Sequence, residues 1–242
     1  MKTILFLVFT FLSIKSNAQQ NESINTDRPD QSDGTYVLPK RAIQLESGLI
    51  FTKEAWVHTS MFRYGLLKKL ECRLILEEGA SRDYISGQNV FGFFPLQLSG
   101  KYSIINEKGL IPAITAVGYL KLPKIASKVF QEDQHTIFLL LAFENNLSEK
   151  LSIGYNTGIK FNEEEIAKQY VFTTSLAYII SNKVGAFVEY FGSYHTGKPS
   201  NNVDAGLLLL FKNNFQLDLA GGTSLSSFSD RYFITAGISY LF

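Results

Sequence analysis

From position 41 onward the chain repeats one pattern, in which stretches of about ten residues alternate apolar with polar or small side chains and then break at a turn. In the first stretch Ile43, Leu45, Leu49 and Phe51 share one face, while Gln44, Glu46 and Gly48 share the other. The period of two predicts strands over 41–52, 55–66, 70–78, 94–105, 110–121, 135–145, 150–160, 170–181, 183–194, 202–212, 214–222 and 231–242. That is an even number, about twelve, as antiparallel closure requires.

The breaks fall into two kinds. Leu67–Lys69, Asn106–Gly109, Asn146–Glu149, Asn182 and Asn213 are tight. Gly79–Phe93, Leu122–Gln134, Asn162–Gln169, His195–Asn201 and Thr223–Asp230 are long and polar. After the first hairpin the two kinds alternate strictly, which collects the short turns at one end of the sheet and the long loops at the other. That asymmetry predicts an all-β fold, a closed antiparallel transmembrane β-barrel. The facing follows from charge. Glu46, Arg63, Glu71, Arg73 and Glu77 share one face of the first three strands, and each cation placed near the lipid midplane would cost roughly 2–4 kcal/mol. The polar face is therefore expected inward and the apolar face outward. Segments 136–143 and 206–211 are apolar on both faces, consistent either with a lumenal strip for aromatic solutes or with a subunit contact.

Residues 1–18 carry an early cation, Lys2, an apolar run from Ile4 to Ile14, and small residues before Ala18, the layout of a secretory signal peptide. The expected division is therefore 1–18 signal peptide, 19–40 a periplasmic or lumen-plug segment, and 41–242 the barrel. No stretch approaches the ~20 apolar residues of a spanning helix. The last strand alternates through Tyr240 and stops on Phe242, the aromatic ending read by the outer-membrane barrel assembly machinery. Composition agrees: 45% hydrophobic residues exclude a disordered chain, 1 Cys excludes a disulfide scaffold, and a net charge of +1 gives no footprint for nucleic acid. The expected partners are the bilayer of a Gram-negative outer membrane, the assembly machinery and a small-molecule solute, with no cofactor or metal.

Thr26-Asp27-Arg28-Pro29-Asp30, then Val37-Leu38-Pro39-Lys40, Ile43 to Gly48, Arg63-Tyr64-Gly65-Leu66 and Leu70 to Leu74 together resemble the family labelled MetA-pathway of phenol degradation, which is grouped with the barrel transporter of functional amyloid subunits. The resemblance implies an outer-membrane channel or transporter of open substrate.

Candidate chemistry concentrates on the inward face. The lumen or selectivity set is Glu46, Arg63, Glu71, Arg73, Lys101, Glu189, Asp204 and Asp218, with Glu77, Lys160 and Arg231 on the same faces. Such charges either select solutes across a wet pore or fill the interior with ion pairs, and Glu71 falls across a hairpin from Arg63. Asp27, Arg28, Pro29 and Asp30 are expected to plug the periplasmic mouth, with Arg28 pairing to Glu46 or Glu71. Enzymatic readings are weak: His58, His135 and His195 lie on strands two, six and nine, which are not neighbours, and read as rim histidines. Cys72 faces outward as a filler, and Trp56, Tyr64, Tyr102 and Tyr190 read as interfacial anchors. The loop bearing Arg82, Asp83 and Tyr84 is the expected external contact. The function expected is passive or weakly selective passage of small, aromatic or apolar solutes. A blocked structural or adhesive barrel is the alternative, and a lipid hydrolase is third.

Overall fold

The computed structural model describes residues 23–82, 87–162, 168–226 and 232–242. The expected signal peptide, Asp83, Tyr84 and Arg231 lie outside the described residues. Thirteen strands follow in order: β1 (Ile43–Thr52), β2 (Ala55–Leu67), β3 (Leu70–Arg82), β4 (Asn89–Phe93), β5 (Leu96–Ile105), β6 (Ala113–Leu122), β7 (Thr136–Asn146), β8 (Leu151–Asn162), β9 (Gln169–Ser181), β10 (Val184–His195), β11 (Lys198–Lys212), β12 (Phe215–Ser224) and β13 (Tyr232–Leu241). Each pairs antiparallel with its neighbour, and β1 pairs with β13 from Gln44↔Leu241 to Thr52↔Phe233, which closes the ring. Closure pairs the wall strands on both sides, except that β4 pairs with β3 alone, and so meets the condition for crossing hydrocarbon.

β4 and β5 act as one spanning strand. The outer half of β3 pairs with β4 (Glu78↔Phe93) and the inner half with β5 (Leu74↔Leu98), so twelve strands cross. The interruption falls at Phe94-Pro95, where proline has no N–H for the ladder. The connection after β6 folds over this gap: Ser127 N–H donates to the Phe93 carbonyl, Leu96 N–H to that of Ile125, and the Phe94 and Phe130 rings stack at 4.3 Å.

Two of the long loops expected from the sequence are corrected. Gly79–Phe93 is mostly hairpin, because β3 runs on to Arg82 and β4 returns beside it. The polar run from His195 is a two-residue turn in which Thr196 (φ 47°) and Gly197 (φ 81°) both take left-handed backbone, so β11 begins at Lys198. Positive φ at both central residues suits a hairpin whose twist matches its strands. Ser200 and Asn201 read as loop by propensity, yet they pair with β10 at the barrel rim, where polar side chains meet water.

The outer surface is an apolar belt. Leu49, Leu74, Leu207, Leu219 and Ile234 are exposed on it, as is Cys72. Outward aromatics mark both edges: Trp56, Phe91, Tyr170, Tyr194 and Tyr232 toward the loop end, and Tyr64, Tyr102, Tyr178 and Tyr240 toward the turn end. Such rings settle at headgroup depth. The belt and closed ring place the protein in an outer membrane. The run over 136–143 is explained inside the barrel, where Leu140, Ala142 and Phe138 form a small cluster with Val117 and Tyr119 of β6.

Candidate functional site

Strand alternation aims the acidic and basic residues inward, and there they meet residues 23–42 of the chain. All eight residues of the expected lumen set, Glu46, Arg63, Glu71, Arg73, Lys101, Glu189, Asp204 and Asp218, are buried. Bare alternation would leave them facing water. They are covered because the N-terminal segment runs across the lumen and hydrogen-bonds to β1, β2, β3, β5–β10, β12 and β13.

The centre is a chain of alternating charges. Arg63 Nη1 reaches Glu46 at 2.5 Å, and its Nε and Nη2 hold the Glu71 carboxylate at 2.6 and 2.9 Å. Asp27 lies beside this pair. Its carboxylate accepts from Lys101 at 2.8 and 3.0 Å and from Arg73 at 3.0 Å, and stands 3.5 Å from Arg63. Arg73 also donates to Asp33 at 2.8 Å and to Ser99, and lies 4.9 Å from the centre of the Tyr119 ring, whose hydroxyl donates to Asp33 at 2.6 Å. Burial alone would push the Asp27 carboxyl up, but Arg63, Lys101 and Arg73 together hold it well below the usual carboxylate range.

Arg28 forms a second node. Its Nη2 donates to Asp218 at 2.9 Å and to Thr235 at 3.0 Å. The guanidinium rests over Gly48 and Gly237, which face each other across the β1–β13 seam, and a Cβ on either would collide with it. The expected pairing of Arg28 with Glu46 or Glu71 is therefore corrected. Arg63 already occupies both carboxylates, and the segment offers them its backbone instead: Asp27 N–H to Glu46 and Leu38 N–H to Glu71 at 2.8 Å. Pro29, joined to Arg28 by a cis peptide, is buried.

A third node gathers anions. Glu189 and Asp204 are directly paired across β10 and β11. Glu189 accepts from Gln31 N–H at 2.7 Å and from Ser32 Oγ, and the Asp204 carboxyl is buried beside it. Asp30 stands near them, and its carboxyl is pushed well up by burial and by the charges of Glu189, Asp27 and Asp204.

Beyond this node Asn156 brackets the Asp33 backbone with bonds of 2.8 and 3.0 Å, Thr115 donates to the Thr35 carbonyl at 2.7 Å, and Leu38 is fully buried against Gly65. Asp33, Ser32, Thr35, Asn156 and Tyr119 are functional neighbours that sequence reading missed. In sequence the first three read as polar linker, and only the wall positions they touch give them meaning. Cavities remain on both sides of the segment. One of about 440 Å³ lies toward the loop end, lined by Tyr119, Phe138, Phe191, Lys121 and Lys160 among others. Another of about 380 Å³ lies toward the turn end, bordered by Asn25, Thr35, Lys68 and Glu107. His58, His135 and His195 stand apart, on β2, just before β7 and at the end of β10. Among the described residues no cluster suited to a metal ion occurs.

This architecture is that of an outer-membrane β-barrel. The sequence from 26 to 242 matches the family described as "Putative MetA-pathway of phenol degradation", and the chain belongs to it. Solved structures similar to it include an outer membrane channel from Pseudomonas putida F1 (14% identity, TM-score 0.67, covering 88% of this chain and 100% of that one). The KdgM porin (11% identity, TM-score 0.63, 82% and 99%) and the NanC porin (8% identity, TM-score 0.60, 82% and 99%) share the fold as well. No curated protein matches the chain.

Proposed function

We propose that the protein is a gated outer-membrane channel for small solutes, in which residues 23–42 form a plug held by lumenal charges. The observation that carries this reading is Asp27, a segment carboxylate accepting bonds from Arg73 and Lys101 on the wall. A segment fastened mainly by polar contacts, with few apolar anchors besides Leu38, can exchange them for water and leave. The fold shared with porins and channels supports a transport role. One of the similar structures is titled as KdgM porin in complex with disordered oligogalacturonate, which favours passage of an organic solute through a barrel of this kind.

Solute chemistry follows from the loop-side cavity. Its three aromatic rings suit a small aromatic or apolar compound. The test is planar-bilayer conductance of the refolded protein beside a variant lacking residues 19–34. Gated conductance that rises on truncation supports the proposal. Silence of both proteins, with folded barrels on a heat-modifiability gel, overturns it in favour of a structural barrel.

A further inference from the structure

On the lipid-facing side of β1, β2 and β3, three polar side chains stand in line within the apolar belt. Ser47 Oγ lies 2.8 Å from His58 Nε2, and His58 Nδ1 lies 3.5 Å from Glu78 Oε1. Their direction is fixed by alternation. Ser47 shares a face with exposed Leu49 and Phe51, His58 with exposed Phe62, and Glu78 with exposed Leu74 and Leu76. Cross-strand pairing supports the line, because His58 sits opposite both Leu49 and Glu78, and Ser47 sits opposite Ser60. About a third of the His58 and Glu78 side chains is exposed, so an outside molecule can reach them. The trio is polar within an otherwise apolar face, and it is separate from the lumenal network.

We propose that Ser47, His58 and Glu78 form an acyl-hydrolase site on the outer wall, acting on an ester-linked acyl chain of a phosphorylated membrane lipid. The triad is recognised by geometry and roles rather than by chain order. Glu78 holds His58 in the tautomer whose Nε2 accepts the Ser47 proton, and is a positioning residue. Depth fits an ester substrate: His58 is two residues, roughly 7 Å, along β2 from Trp56, whose ring packs against Phe91 at 5.9 Å at the headgroup edge. Toward the loop end lies a cleft of about 490 Å³ lined by Phe51, Lys53, Glu54, Trp56 and Arg82 among others, in which Lys53 and Arg82 outnumber the Glu54 carboxylate and suit a lipid phosphate. Leu45, Leu74 and Leu76 on the same face provide the surface for the acyl chain.

The reaction balances with water as the only co-reactant. Ser47 Oγ bonds to the acyl carbon as its proton passes to His58. The ester C–O bond breaks, and the leaving lipid hydroxyl takes that proton. Water then adds to the acyl carbon, delivering its proton through His58 to Ser47 as the acyl–Oγ bond breaks, which frees the fatty acid. Ser60 Oγ, 3.4 Å from Ser47 Oγ, is placed to donate to the developing oxyanion.

The experiment uses the full refolded protein in vesicles containing phosphatidylethanolamine or, separately, lipopolysaccharide, with fatty-acid release read by mass spectrometry and a sulfonyl fluoride used to label the nucleophile. Release from either vesicle, loss to the buffer rate in Ser47→Ala and His58→Gln, and label on the Ser47 peptide support the site, and the vesicle that responds identifies the lipid. Glu78→Gln should lower kcat about tenfold or more with KM unchanged and displace the pH profile. Folded, heat-modifiable protein that releases nothing from either lipid and takes no label overturns the proposal, as does a Ser47→Ala variant as active as the parent. Conductance should be unaltered in Ser47→Ala, which keeps failure here distinct from failure of the channel reading.

Discussion

Replacing Asp27 with alanine removes the carboxylate on which the segment's attachment converges. Arg63 keeps Glu46 and Glu71, and Arg73 keeps Asp33, but the buried Lys101 ammonium loses both of its bonds, at 2.8 and 3.0 Å. The Gly34 N–H loses its acceptor as well. Removing one partner of a buried ion pair typically costs about 3–5 kcal/mol, chiefly because the other charge is left uncompensated. Only the docked state pays this, since undocking lets water reach Lys101. The docked-to-undocked ratio should fall by roughly two to three and a half powers of ten, at about 1.4 kcal/mol per tenfold. Single-channel recording reads this directly: open dwell times should lengthen until Asp27→Ala resembles the variant lacking 19–34. Hydrogen exchange of the 23–42 amides should rise in parallel. If Asp27→Ala keeps parental conductance and parental exchange protection in a heat-modifiable barrel, the charge network does not hold the segment and the gating argument falls.

Raising the pH should open the channel. Asp30 has a raised docked-state pKa, so the stability it lends is full below the usual carboxylate range and is lost as pH rises through the raised value, where a new charge would face Glu189 and Asp204. Asp30→Asn should abolish that rise in open probability. Asp27 works in the opposite sense, its contribution present above the ordinary carboxylate pKa and lost only in strong acid, so acid opening should require far lower pH than carboxylate titration suggests. A Cβ at Gly65 would drive into the Pro39 and Leu38 carbonyls. Gly65→Ala should therefore loosen docking by about 1–3 kcal/mol, measured as faster trypsin cleavage at Lys40 and Arg41, and equal cleavage rates in the two proteins would count against that packing.

The wall was legible in sequence because each strand obeys one local rule, a period of two enforced by lipid on one side. The even count and the inward set of Glu46 through Asp218 follow from it, while the ends of β3 and β11 do not, because at the rim polar residues stay in the ladder. The paired Arg63 and Glu71 were legible for the same reason, since one hairpin brings them together. Arg28 was not: its partners Asp218 and Thr235 lie at the far end of the chain, and only ring closure delivers them. Strand β4 was hidden by Pro95, which makes the preceding residues read as loop. The Ser47–His58–Glu78 line was invisible for a subtler reason. Its members sit on three strands and come into line only in the observed register, while the sequence invites comparison of histidine with histidine.

The segment's attachments also bear on how the molecule matures. Arg28 meets residues 190 and 207 positions away in sequence, while Asp27 and Leu38 meet the first three strands. Half-built, the wall offers only part of that set. The last strand must seat against the first before the Arg28 socket, with its glycine floor shared between β1 and β13, exists at all. Residues 23–42 thus act as a gauge of completion, able to lodge fully only in a finished cylinder. A slip of one residue at the closing seam would turn Thr235 outward and spoil the socket, so seating of the segment depends on the register of that seam.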